Sequence, residues 1–242
     1  MKILVQDIPG AGIFIKTMKK KIIRWTLTIM LCGTLLLLVV TLAAWLAARH
    51  KPTFYRAALA IQAESLREDS DNAIRRVTEL FNQTQRKEEN WDFVITEAEM
   101  NGWFAVDLPR NHARSLPTGV TNPRVSIVSN QVSLAVMYEH GAFSGVLVLR
   151  LSVHMQEPNL LLFRLRNVQV GAIPFSKRQA IGLLADGFRQ SGLNVEETEE
   201  AGDPAIRIRL NPRSANGLPI ILDTVRAEDH AIWLSGSTGR KE

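Results

Sequence analysis

Arg110, His112 and Arg114 stand at alternate positions within residues 109–123, a stretch that also holds Pro109, Pro117, Gly119 and Pro123. Two guanidiniums and an imidazole at that spacing bind anions through charge and donated hydrogen bonds, so the chemistry they offer is contact with phospholipid head groups or with a partner. The prolines predict the longest loop of the chain, and a merely solvated connection has the same composition. Catalysis has less to stand on. The five histidines, His50, His112, His140, His154 and His230, are scattered, with no His-x-x-x-His or Glu-x-x-His pair to hold a metal. Gly141-Ala142-Phe143-Ser144-Gly145 places its serine one position late for a nucleophile elbow, and no Gly-rich loop ends in Lys-Ser or Lys-Thr. Asn82-Gln83-Thr84 is a formal glycosylation sequon on a predicted helix, where coincidence explains it. No catalytic, metal-binding or cofactor-binding residue is therefore expected, although separated carboxylates can still converge in space.

The element that positions everything downstream is an uncharged run over residues 25–48, preceded by Lys19, Lys20, Lys21 and Arg24 and followed by Arg49, His50 and Lys51. At about 1.5 Å per residue it makes a helix of ~36 Å, enough to cross a hydrocarbon core of ~30 Å. The run is too long for a secretory signal's apolar region, and Leu46-Ala47-Ala48 puts Leu where cleavage needs a small residue. Leu31 before Cys32 likewise argues against a lipoprotein site, so the reading is a retained anchor. Lys16, Lys19, Lys20, Lys21 and Arg24 on one side outnumber Arg49, Lys51 and Arg56 on the other, which favours a cytoplasmic N-terminus. Trp25 and Trp45 sit near the two ends, where indoles prefer the interface. Residues 1–17 show no amphipathic pattern, and Met18, opening Met-Lys-Lys-Lys, is an alternative start.

The sequence pI of about 9.6 belongs to the anchor. Eight of the 29 Lys and Arg but one of the 24 acids precede Pro52, leaving 21 basic against 23 acidic residues beyond it. A slightly acidic domain without a basic stripe argues against nucleic acid. Cys32, the only cysteine, lies in the apolar run, so the rest has no disulfide or thiol chemistry.

Beyond the anchor, residues 54–87 predict one amphipathic helix, with Leu59, Ala63, Leu66, Ala73, Val77 and Leu80 as its stripe, broadened by Ile74 and Phe81. It serves as core packing or a stalk; a coiled-coil oligomerisation helix is weakened by Ser70 in the seam. A strand over 91–95 leads into Thr96-Glu97-Ala98-Glu99, a capping box for a short helix with Met100, Trp103 and Phe104 on its apolar face, ending at Leu108-Pro109. Period-two alternation then predicts a four-stranded antiparallel meander: Val125 and Ile127; Val132, Leu134 and Val136; Leu147 to Val153 at odd positions; and Leu161, Phe163 and Leu165. A phase slip near Asn167 predicts a bulge or a sharp bend. Val146 and Val148 alternate with Leu147 and Leu149, so that strand is apolar on both faces and needs a cover: helices, or a lipid. Ser176 caps a helix over 177–191, with Ile181, Leu184 and Phe188 on one face and Gly192 closing it. Further strands follow at Val195, 206–210, 220–225 and 231–234, with a solvated acidic loop over 196–203 and a frayed tail from Ser235.

The order of these parts resembles the YpmS-like membrane-anchored bacterial proteins, carried by Ile95-Thr96-Glu97-Ala98-Glu99-Met100-Asn101-Gly102-Trp103 and by Asn167-Val168-Gln169-Val170-Gly171-Ala172-Ile173-Pro174-Phe175 before a helix. More loosely it is similar to the tubular lipid-binding superfamily, and Asp107-Leu108-Pro109 through Pro123-Arg124-Val125 resembles a segment of anchored proteins of planctomycete-type bacteria. The resemblance implies fold and placement, with Met100 where those families favour Leu, and no activity.

The expected molecule is thus α+β: an N-terminal transmembrane helix followed by a curved antiparallel β-meander packed on helices. Its parts are a cytoplasmic tail (1–24), the span (25–48), a juxtamembrane amphipathic helix (49–90), an extracytoplasmic domain (91–236) and a disordered tail (237–242). The expected placement is the inner membrane. The expected role is binding of membrane lipid or another apolar envelope component; the alternative is a structural or assembly protein binding an envelope protein or forming a homo-oligomer.

Overall fold

The computed structural model of the chain describes residues 11–86, 90–141, 143–228 and 230–239. Helix α1, Ala11–Ala48, contains the apolar segment Ile29–Ala48, long and apolar enough to cross a membrane, with none of it buried inside the protein. Its described part starts at Ala11, earlier than the pattern predicted; it contains no proline, and its single glycines Gly12 and Gly33 are tolerated. Residues 11–46 form one body and residues 47–239 a second, described separately below.

The helix predicted over 54–87 is two helices: α2, Thr53–Leu59, and α3, Ala63–Gln83. The break at 60–62 contains neither Gly nor Pro, and its cause is tertiary. Tyr55 and Ala58 on α2 are buried toward one partner, Leu66, Ser70 and Ala73 on α3 toward another, and one straight rod cannot face both. Lys87 falls outside the described residues.

Strand β1, Asn90–Thr96, enters α4, Glu97–Asn111, through the predicted capping box: the Glu99 amide donates to Thr96 Oγ1 (3.2 Å) and the Thr96 amide to Glu99 Oε2 (2.8 Å). The helix does not stop at Pro109. Proline removes one N–H from the ladder there, but the turn beyond it is held by the His112 amide donating to the Leu108 carbonyl (2.9 Å) and by Asn111 Nδ2 donating to Asp107 Oδ1 (2.6 Å). The expected long loop shrinks accordingly to a 3₁₀ turn, Ala113–Ser115, and a few residues before the next strand.

The meander is present as β2 (Val120–Val128), β3 (Gln131–His140), β4 (Phe143–Glu157) and β5 (Leu160–Val170). Ser129 and Asn130, both at positive φ, make the tight β2–β3 turn. The predicted bulge is at Arg166, since Arg150 faces Asn167 while Leu151 faces Leu165. After the two-residue strand β6, Ile173–Pro174, comes α5, Lys177–Gln190, capped by Ser176 and followed by Gly192 at positive φ.

The acidic stretch expected as a loop is a hairpin, β7 (Asn194–Glu200) with β8 (Asp203–Arg209), turning at Ala201-Gly202. Its acids are compatible with a strand because they lie on the sheet edge and are partly paired, Glu196 with Arg207 (2.9 Å) and Glu197 with Arg189 (3.0 Å). The large sheet runs β2-β3-β4-β5-β8-β7, with β6 also on β5. A second sheet, β1-β10-β9, is built from β9 (Ile220–Glu228) and β10 (Ala231–Thr238). The tail expected from Ser235 is therefore strand as far as Thr238; Ser237 and Thr238 are buried beside β1 and β9. Residues 240–242 lie outside the described set.

The doubly apolar strand β4 is covered by protein on both faces. On one, Val146 and Val148 lie under Tyr55 of α2 beside Ala135. On the other, Leu149 joins Leu165, Val168, Ile206 and Ile208 beneath Ala180, Ile181 and Ala185 of α5. The two sheets meet where Ala227 and Ile232 pack against Val125 and Ile127.

Candidate apolar groove

The polar scaffold that fixes α4 starts at its cap. Glu99, 5 % exposed, receives the Thr96 amide and hydroxyl at its Oε2 and the Arg76 Nε of α3 at its Oε1 (2.5 Å). Burial by itself would raise its pKa, but those donors outweigh burial and hold the carboxyl below the ordinary glutamate value. Two residues on, buried Asn101 donates to the Val125 carbonyl (2.9 Å) and accepts from the Val125 amide (2.8 Å), tying α4 to β2 as a strand would. Glu97 accepts from the Ile127 amide (2.7 Å) and contacts the His230 ring (3.0 Å). Gly102 closes the other side: a Cβ there would stand 2.6 Å from the Ser70 nitrogen and 2.8 Å from the Leu66 carbonyl oxygen. Glu99 opposite Arg76 and Gly102 opposite residues 66–70 make α3 and α4 antiparallel neighbours.

Because Glu99 is depressed in the folded state, its stabilisation is whole above about pH 4.3, the unfolded value, and drains away as pH falls through the folded one. Glu99→Gln is expected to flatten that part of the acid limb. Urea midpoints between pH 7 and pH 3 measure it, and an unchanged acid slope refutes the assignment.

Beyond the close contact the two helices leave an apolar groove of about 570 Å³. One wall is Ala73, Ile74, Val77 and Thr78 of α3; the other is Met100, Trp103, Phe104 and Asp107 of α4, with Ile95 of β1 and His112 completing it. Ile74 is 42 % and Val77 51 % exposed, and Phe81 continues the same stripe at 57 %. Trp103 lies against Phe104 (5.7 Å between ring centres) and against the His112 ring (5.6 Å), whose Nε2 is 3.4 Å from Asp107 Oδ2. The lining is thus hydrophobic and aromatic with one His–Asp pair at its rim, the composition and size of a small-molecule site.

The structure does not gather the three predicted contact residues into one cluster. Arg110, in the last turn of α4, lines a separate small hollow of about 260 Å³ with Ala63, Leu66, Arg67 and Pro109. His112 caps α4 and belongs to the groove, while Arg114 is placed by its backbone in the 3₁₀ turn. The groove itself was only half visible in sequence: Ile74, Val77, Met100, Trp103 and Phe104 read as core, and the small pair Ser70 and Gly102 was the unrecognised sign that α3 and α4 pack together. Among the described residues no group of three His, Cys, Asp or Glu converges as a metal site. Comparison with family models, with curated proteins and with solved structures finds no match.

Proposed function

We propose that this chain is a single-pass membrane protein with a cytoplasmic N-terminus and a non-enzymatic extracytoplasmic domain that binds an apolar ligand of the lipid class in the α3–α4 groove. The observation that carries the reading is the groove: exposed Ile74 and Val77 face Trp103 and Phe104 in a chain that also has a membrane-length apolar helix. Full burial of a large apolar side chain is worth roughly 1.5–3 kcal/mol, and occupation of the groove recovers the part that the half-exposed Ile74 and Val77 forgo. Strand β4 of the large sheet is packed under protein on both faces, by Tyr55 of α2 on one and by α5 on the other. Orientation rests on the excess of Lys and Arg before the span.

Ile74, Val77 and Phe81, at i, i+3 and i+7 on one helix, also favour a second reading, an apolar helix of an envelope partner or of another copy seated along α3. The test is native mass spectrometry of the full chain, wild type and Ile74→Glu/Val77→Glu. Lipid carried by the wild type and lost by the variant, with urea stability unchanged within about 0.5 kcal/mol as for surface substitutions, supports the ligand reading. A lipid-free wild type whose variant loses a crosslinked protein or a dimer supports the second. Equal lipid on both proteins refutes the groove as the site.

A further inference from the structure

We propose that the turn over residues 171–175 is seated in the bilayer interface beside the end of α1, with Ile173 and Phe175 as its interfacial anchors. The inference rests on the reading of Ile29–Ala48 as a membrane span. Twenty residues at about 1.5 Å each give ~30 Å, the thickness of the hydrocarbon core, so Ala48 marks its edge, and the head-group layer adds only roughly 5–8 Å on that side. Whatever touches Ala47 and Ala48 lies within that layer.

The turn touches them. The Ala172 amide donates to the Ala47 carbonyl (2.8 Å), and Gly171, at φ +61°, approaches so closely that a Cβ would stand 2.4 Å from the Ala47 oxygen and 2.3 Å from the Ala48 oxygen. Those carbonyls belong to the last turn of α1, where the helical ladder ends; the Ala47 oxygen also accepts from the His50 amide (3.2 Å). The turn is also held from the domain's side: the Gly171 amide donates to Val146 (2.7 Å), Ile173 pairs with Val170, and the Phe175 amide donates to Val168 (2.9 Å). A segment fixed by this many backbone bonds presents Ile173 (37 % exposed) and Phe175 (41 % exposed) by construction.

The surroundings suit a lipid surface. Exposed Arg49 and Lys51 follow the span directly, and exposed Arg178 follows Phe175 by three residues. Apolar side chains at the acyl boundary with basic ones beside them are the pattern that binds anionic interfaces. The span then acts as more than a tether, because the domain contributes its own lipid-facing surface at the point where the chain leaves the membrane.

Site-directed spin labelling of the full chain in mixed phosphatidylcholine–phosphatidylglycerol vesicles tests this. In a Cys32→Ser background, single cysteines replace Leu38, Ile173, Phe175 or Val128, the last exposed at the end of β2. The expected result is a Leu38 label in the hydrocarbon, Ile173 and Phe175 labels at head-group depth, and nickel-chelate collision rates at both several-fold below that at Val128. A deep Leu38 label with Ile173 and Phe175 as accessible as Val128 overturns the interfacial turn and leaves the anchor standing. A water-exposed Leu38 label overturns both.

Discussion

Gly102→Val is expected to lower the stability of the domain by about 3 kcal/mol, the upper part of what overpacking costs. The reason is the identity of the atoms in the way. A Cβ at Gly102 meets the Ser70 nitrogen at 2.6 Å and the Leu66 carbonyl oxygen at 2.8 Å, backbone atoms that no rotamer change can move, as well as Asp69 Cβ at 2.6 Å. The helices must part, and parting them stretches the Arg76–Glu99 bond across the same interface. Gly102→Ala loses somewhat less, about 2 kcal/mol, since its lone methyl still meets that backbone. Ser70→Gly is expected not to rescue either variant, because removing the Ser70 side chain leaves the obstructing nitrogen and carbonyl in place. Urea unfolding of the full chain in detergent, followed by tryptophan emission, measures all three; a fully stable Gly102→Val protein would refute the close α3–α4 contact and with it the wall of the groove.

The second large effect is at α2. Tyr55 is fully buried, lies over Val146, Val148 and Ala135, and donates its hydroxyl to the Asn122 carbonyl (3.0 Å). Burial, the largest influence, raises the phenol's pKa despite nearby Arg124. Tyr55→Ala is expected to cost about 3–5 kcal/mol, the range for deleting a buried aromatic ring, whereas Tyr55→Phe loses only the hydrogen bond, about 1 kcal/mol. The gap between the two variants is the informative quantity. If Ala is no worse than Phe, α2 is a loosely attached linker and β4 has an open face after all, which would reopen the interior of the sheet to a ligand.

Several elements were legible because one local rule decided them. Alternation fixed β2 to β5, the slip at Asn167 announced the bulge at Arg166, and Thr96 with Glu99 announced the start of α4. The features that escaped depend on partners distant in sequence. Nothing local breaks the chain at 60–62; the different burial of Tyr55 and Leu66 does. The acids of β7 look like a solvated run until Arg189 and Arg207 are beside them. The groove was hidden for the same reason. Ala73 and Ile74 are adjacent members of one apolar stripe, yet one is 2 % and the other 42 % exposed, and no periodicity distinguishes a residue facing a neighbour from one facing an opening.

The small sheet carries a consequence for how the chain is made. Its middle strand, β10, is the last element described, and it pairs with β1, near the start of the domain, as well as with β9. During synthesis β1 has no edge to join until residues 231–238 have emerged, so Trp91, which packs against Gly236, waits exposed while the intervening meander forms from local hairpins. The domain therefore closes late, around its final strand, and a nascent chain halted before residue 231 holds an assembled large sheet beside two strands with no centre.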